Sequence, residues 1–282
     1  MLMANSWYED LNAYIRLGEP RMKKKAAIWQ TAIGLQAVDG LKISAYLLKT
    51  AKENIEGKIT SKEANAQISN YYEDCCNRHA IEAGTKEADI VAGRIAALLA
   101  EKDFGFTSAF WMSVHRYLFK DVFMHAGKIR TYNIYKNEWV LNGKSVFYAS
   151  YDSISMTMEY DFKTEAAFSY KNLSRDAISR HLAQFTCDIW QIHPFGEGNT
   201  RSTAVFIIKY LSSLGYSINQ ECFAKQSWYF RNALVRANYN DLPNDIHATT
   251  LYLERFFENL LFGGNNELKN RYLHIAWQDN QK

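Results

Sequence analysis

Nine consecutive residues, His193-Pro194-Phe195-Gly196-Glu197-Gly198-Asn199-Thr200-Arg201, combine an imidazole, a carboxylate, a carboxamide and a guanidinium. Histidine is the side chain whose ordinary pKa suits proton abstraction at neutral pH. The Arg201 guanidinium can neutralise phosphate oxygens through paired hydrogen bonds. Asn199 can orient a phosphate without adding charge. Glu197 would repel an anion unless it holds Mg²⁺, an ion common in phosphate-transfer sites. Glycines at 196 and 198 let the backbone bend and let an oxyanion come close. A base beside a metal-bound phosphate is suited to activating a hydroxyl for attack on phosphorus. Each residue also has a bland reading. His193 could be a helix-end hydrogen bonder, the glycines a simple turn, and Phe195 is a core anchor in either case. Their coincidence at one helix start favours the chemical reading.

Two helices must position these groups. Ile178, Leu182, Phe185 and Ile189 recur at helical spacing and predict a helix from about Ser174 to Ile192, which Pro194 helps to end. "TRSTAVFIIKYLSSLG" predicts a second helix, stopped by Gly215. A helix start presents unpaired N–H groups and the positive end of its dipole, so this loop is a phosphate cradle.

Elsewhere the pattern is mostly helical. Three prolines occur in 282 residues, which permits long helices. Helices are predicted over 21–40 and 43–57, and a third begins at Thr60, whose Glu63 three residues on makes a capping box. A helical block covers about 85–123, and further helices cover about 225–239 and 247–262. Residues 127–150 change period, and Asn142-Gly143 between apolar runs predicts a β-hairpin. The fold expected is a mostly α bundle with one hairpin, preceded by a small all-helical unit. The divisions expected are 1–80, 81–265 and a tail at 266–282.

The net charge of +3 and the absence of a long basic run give no footprint for nucleic acid. No apolar stretch of membrane-spanning length occurs, and the N-terminus lacks the pattern of a secretory signal. Cys75, Cys76, Cys187 and Cys222 show no zinc spacing. A soluble, reducing, cytoplasmic setting is expected.

The nine-residue string resembles the signature of the Fic (filamentation induced by cAMP) family, H-P-F-x-[DE]-G-N-G-R-x-x-R. His193, Pro194, Phe195, Glu197, Gly198, Asn199 and Arg201 match. "HAGKIRTYNI" (125–134) is similar to the family's target-docking flap, and "FRNALVRANYNDL" (230–242) to its downstream helix. The resemblance covers roughly 85–262. It implies transfer of AMP from ATP to a Ser, Thr or Tyr hydroxyl of a target protein. By that resemblance His193 is the general base and Glu197 holds Mg²⁺ on the α- and β-phosphates. Asn199 and the Gly198–Thr200 amides hold the α-phosphate, and Arg201 the β-phosphate. Phe230, Arg231 and Asn238 fall where adenine or ribose contacts lie, and Asn133, Ile134 and Tyr135 where the flap docks the target. A homodimer is possible, since dimers are common in the family.

Two positions depart from the signature. Thr200 replaces a glycine, and Ala204 replaces the second arginine, which commonly contacts the γ-phosphate. Residues 28–75 resemble an antitoxin-like inhibitory module. Its inhibitory glutamate corresponds to Asp39, followed by Gly40; a helix-end role for Asp39 is the alternative. Another donor such as UTP, phosphate transfer, removal of AMP, or a catalytically idle module that binds a peptide as an added strand stay open at this point.

Overall fold

The computed structural model describes residues 6–74 and 80–279. Its helices are α1 (Ser6–Leu17), α2 (Pro20–Gly34), α3 (Ala45–Ile55), α4 (Ser61–Asp74), α5 (Ala80–Ala100), α6 (Ser108–Phe119), α7 (Ile154–Ala166), α8 (Arg175–Ile192), α9 (Asn199–Ser213), α10 (Glu221–Ala237), α11 (Leu251–Phe262) and α12 (Ile275–Asp279). Two compact units emerge: Met1–Asp103 with Gln220–Ser227, and Phe104–Asn219 with Trp228–Lys282. The structural division therefore falls one helix, α5, beyond the sequence division at residue 80. α10 is interrupted at Gln226, just before the boundary it spans.

In the first unit, local capping chemistry sets the helix starts. The backbone N–H of Thr60 donates to Glu63 Oε2 at 2.7 Å, and the N–H of Glu63 donates to Thr60 Oγ1 at 3.2 Å, so the capping box forms. Ser44 caps α3 by accepting from the Leu47 N–H at 3.1 Å. The buried Asp89 of α5 then ties three helices: it accepts from the Ser44 N–H at 3.0 Å and from the Tyr72 hydroxyl at 2.7 Å. Gly34 lies against Ala224, where a Cβ would sit 2.5 Å from the Ala224 Cα. The predicted helix over 21–40 becomes α2 followed by a tighter 3₁₀ turn, Leu35–Asp39, which left-handed Gly40 ends.

The second unit is built around α9. Every residue from Asn199 to Leu211 is buried, which marks a central helix rather than an amphipathic surface one. Phe106, Phe162, Phe185, Phe206 and Tyr210 pack ring against ring between α6, α7, α8 and α9. Truncating a fully buried ring such as Phe206 to alanine costs about 3–5 kcal/mol. Cys187 and Cys222 are buried free thiols, while Cys75 and Cys76 lie outside the described residues. Among the described residues no helix is long and apolar enough to cross a membrane.

The predicted hairpin over 127–150 is corrected. The Asn142-Gly143 turn does form, with φ of 53° and 82°. It is closed by the Glu138 N–H to the Lys144 carbonyl at 3.0 Å and the Gly143 N–H to the Glu138 carbonyl at 3.0 Å. No strand flanks it, because the arms use their backbone donors elsewhere. Arg130 N–H goes to the Pro194 carbonyl at 2.8 Å, Ala149 N–H to the Gln191 carbonyl at 3.3 Å, and Lys136 N–H to Ser145 Oγ at 3.1 Å. The segment is thus a loop bonded to the end of α8 and the residues after it.

Candidate active site

The last turn of α8 delivers His193, which is 2% exposed and adopts a left-handed conformation, φ 46°. Its Nδ1 lies 3.0 Å from the Trp190 carbonyl. A carbonyl can only accept, so Nδ1 carries the hydrogen and Nε2 presents a lone pair. Burial pushes the imidazole pKa well below its ordinary value, and the nearby Lys136 charge adds to this. His193 is therefore neutral at physiological pH. Its ring packs between Tyr148, centroids 4.1 Å apart, and Trp190, at 4.9 Å and edge-on.

The start of α9 leaves its first backbone amides without a side-chain cap, and Gly198 at its N-cap has φ 76°. A Cβ on Gly198 would run into the Phe119 ring, so space as well as backbone conformation demands glycine here. Arg201 follows in the first turn, 1% exposed, with its guanidinium 4.8 Å above the Phe119 ring. A buried cation at the positive end of a helix suits a site that receives an anion.

Asn199 braces the loop from within. Its Oδ1 accepts from the Phe195 N–H at 3.0 Å and its Nδ2 donates to the Phe195 carbonyl at 2.7 Å. Phe195 is fully buried, stacked on His115 at 3.7 Å. Thr200 Oγ1 accepts from the Trp190 indole N–H at 3.0 Å. Ala204, deeper in α9, is fully buried.

Glu197 points outward and pairs with Lys136, Oε2 to Nζ 2.9 Å. Among the described residues, no three His, Cys, Asp or Glu side chains gather to hold a metal. A single exposed carboxylate does not fit a resident ion. It would hold a divalent ion only with further oxygen donors from a bound molecule.

Two residues that sequence reasoning did not single out fasten this loop. Arg130, 4% exposed, donates from Nε to the His193 carbonyl at 2.7 Å and from its other nitrogens to Tyr132, Ala149 and Ile192 carbonyls. His115 lies 2.8 Å from the Glu197 carbonyl through Nε2, while its Nδ1 accepts the Gly127 N–H at 2.9 Å. That pair of bonds fixes the opposite tautomer to that of His193. Burial drives its pKa down to about 3.

Comparison with known proteins bears on this arrangement. Residues 105–211 match the family model described as Fic/DOC family. The chain carries a Fic/DOC-family domain. It is 27% identical over 135 residues to a probable protein adenylyltransferase, y4lH, of Sinorhizobium fredii, a match covering 48% of this chain. It is 23% identical over 136 residues to a probable protein adenylyltransferase Fic of Salmonella typhimurium, again over 48% of this chain. The matched stretches span 66% and 62% of those relatives' own lengths. Among solved structures, the N-terminal Fic domain of an effector protein from Bartonella sp. AR 15-3 aligns at a TM-score of 0.49 and 16% identity, over 62% of this chain and 82% of that one.

Within the Fic/DOC domain and its flanks, the remaining residues singled out in the sequence divide. Arg231 forms an ion pair with the fully buried Glu138 at 2.7 Å, and Glu138 also accepts from the Tyr148 hydroxyl at 3.2 Å. Through Tyr148 this network reaches the His193 ring. Phe230 is fully buried, with its ring 5.1 Å from Phe256. Asn238 ties α10 to itself and to α8, donating to the Leu234 carbonyl at 3.0 Å and the Cys187 carbonyl at 3.4 Å. Asn133 accepts the Tyr151 N–H at 3.0 Å, Tyr135 is 70% exposed, and Ile134 between them is half-buried. Asp39 is exposed at the end of its 3₁₀ turn in the first unit.

Proposed function

We propose that this chain transfers AMP from ATP to a Ser, Thr or Tyr hydroxyl of a target protein. The observation that carries the reading is the neutral, oriented imidazole of His193 beside the uncapped start of α9. His193 Nε2 takes the proton of the incoming hydroxyl. The hydroxyl oxygen bonds to the α-phosphorus, the bond from that phosphorus to the α,β-bridging oxygen breaks, and pyrophosphate leaves. The amides at Gly198–Thr200 hold the α-phosphate, and Arg201 the β-phosphate. Glu197 would hold Mg²⁺, which when bound neutralises phosphate charge. Rate enhancement comes from positioning and charge stabilisation.

The curated relatives' names support adenylyl transfer as the class of reaction. Ala204 favours one second reading. A methyl group buried in α9 brings no charge to a terminal phosphate, so donor choice rests on the base, and UTP is the alternative donor. In this account the exposed loop around Tyr135 docks the target, and Asp39 restrains the activity.

The test is intact mass after incubation with Mg²⁺ and ATP, UTP, GTP or CTP in turn. The reading expects a gain of one AMP in the chain or in an added target, absent in His193→Ala and larger in Asp39→Gly. A gain of UMP keeps the mechanism and replaces the donor. Tight nucleotide binding with no adduct on any protein supports an idle binding module instead.

A further inference from the structure

We propose that Thr200, acting through Trp190, is a positioning residue for His193; the inference rests on His193 being the base of the proposed reaction. Three bonds and one ring contact carry it. The Trp190 indole N–H is a donor with no acceptor capacity, in a side chain that is 1% exposed, so it needs a partner. That partner is Thr200 Oγ1 at 3.0 Å. The carbonyl of the same tryptophan accepts both the His193 backbone N–H at 3.1 Å and His193 Nδ1 at 3.0 Å. Its ring meets the imidazole edge-on, at 90° and 4.9 Å between centroids.

Trp190 therefore grips His193 twice, once by its carbonyl and once by its ring, and Thr200 fixes the ring. The bond from Thr200 to Trp190 spans the two feet of the loop, joining the last turn of α8 to the first turn of α9. One residue thereby couples the base to the row of amides that receives the phosphate. Glycine at position 200 has no atom for this task. Serine has one, and valine has the shape without the acceptor. The side chain at position 200 is committed to the indole, which sets the orientation of the base.

The experiment uses the full chain, with Thr200→Val, Thr200→Ser, Trp190→Phe and the double variant Thr200→Val/Trp190→Phe. Long-range ¹H–¹⁵N spectra report the His193 tautomer without any substrate, and steady-state kinetics report kcat and KM. We expect an Nδ1–H imidazole in the parent and in Thr200→Ser, and a mixture of tautomers in Thr200→Val and Trp190→Phe. The kcat of Thr200→Val should fall about tenfold at unchanged KM, with Thr200→Ser within about twofold of the parent. The double variant should be no worse than the poorer single one, because both remove the same bond. A parent-like His193 signal and kcat in Thr200→Val, or additive losses in the double variant, would overturn the inference. If the parent turns over no nucleotide, the proposed reaction fails while the spectra still decide the positioning.

Discussion

Arg130 Nε donates to the backbone carbonyl of His193 at 2.7 Å. The guanidinium is buried and spends its donors on main-chain carbonyls of two segments, the loop at 132–149 and the end of α8. It therefore fixes the left-handed turn that aims His193 and fastens the loop beside it. Burial lowers its pKa, yet a guanidinium stays charged throughout the physiological range.

Removing that hub should cost both order and activity. Arg130→Ala takes this donor from the buried His193 and Ile192 carbonyls and from the part-buried Tyr132 and Ala149 carbonyls, and we expect a loss of about 3 kcal/mol of stability. Nucleotide transfer at a temperature where the variant is folded should fall by about 100-fold, because the base loses its orientation. Arg130→Lys should recover little of either, since a single ammonium cannot span the same fork of carbonyls. Denaturant unfolding and single-turnover transfer measure the two losses separately.

His115 gives a pH signature. Its folded pKa is depressed, to about 3, from an ordinary 6.5. A depressed pKa contributes stability that is present above the unfolded value and is lost as pH falls toward the folded one. Below pH 6.5 the unfolded chain takes up a proton that the folded chain refuses. The parent should lose about 1.4 kcal/mol per pH unit relative to His115→Gln between about pH 6 and pH 4. Asp161, raised to about 6, acts in the opposite sense in both proteins and cancels in the difference. Urea unfolding of the two chains across that range checks the slope.

Much of this was legible in the sequence, and the failures have physical causes. The capping box at Thr60 and Glu63 and the left-handed turn at Asn142 and Gly143 are local chemistry, so short windows reveal them. The strands expected on either side of that turn depended on where backbone donors went, and they went to Pro194 and Gln191, far along the chain. The helix α7 is hard to read from sequence, because Ile154, Met158 and Phe162 sit among polar and acidic residues that blur its apolar stripe. Arg130 lies in "HAGKIRTYNI", but its partners are main-chain carbonyls and leave no trace in residue type. His115 sits on an ordinary amphipathic helix, and its importance comes from Gly127 and Glu197, which the fold brings to it.

The Lys136 ammonium occupies the Glu197 carboxylate that Mg²⁺ would need. The pair is partly solvent-exposed, so it is worth no more than about 1 kcal/mol and yields readily to a divalent ion. Lys136→Met should lower the Mg²⁺ concentration giving half-maximal transfer by about threefold. Glu197→Gln should raise it strongly. Mg²⁺ titrations at fixed nucleotide measure both.

The most direct test of the central claim is the fate of the phosphates. ATP labelled at the α- or the γ-phosphate is incubated with the chain, Mg²⁺ and a target protein, with His193→Ala alongside. AMP transfer with His193 as base requires that the α-label enter protein with release of one pyrophosphate per adduct, that the γ-label stay out, and that His193→Ala transfer no label. Entry of the γ-label into protein, or α-label transfer undiminished in His193→Ala, would contradict it.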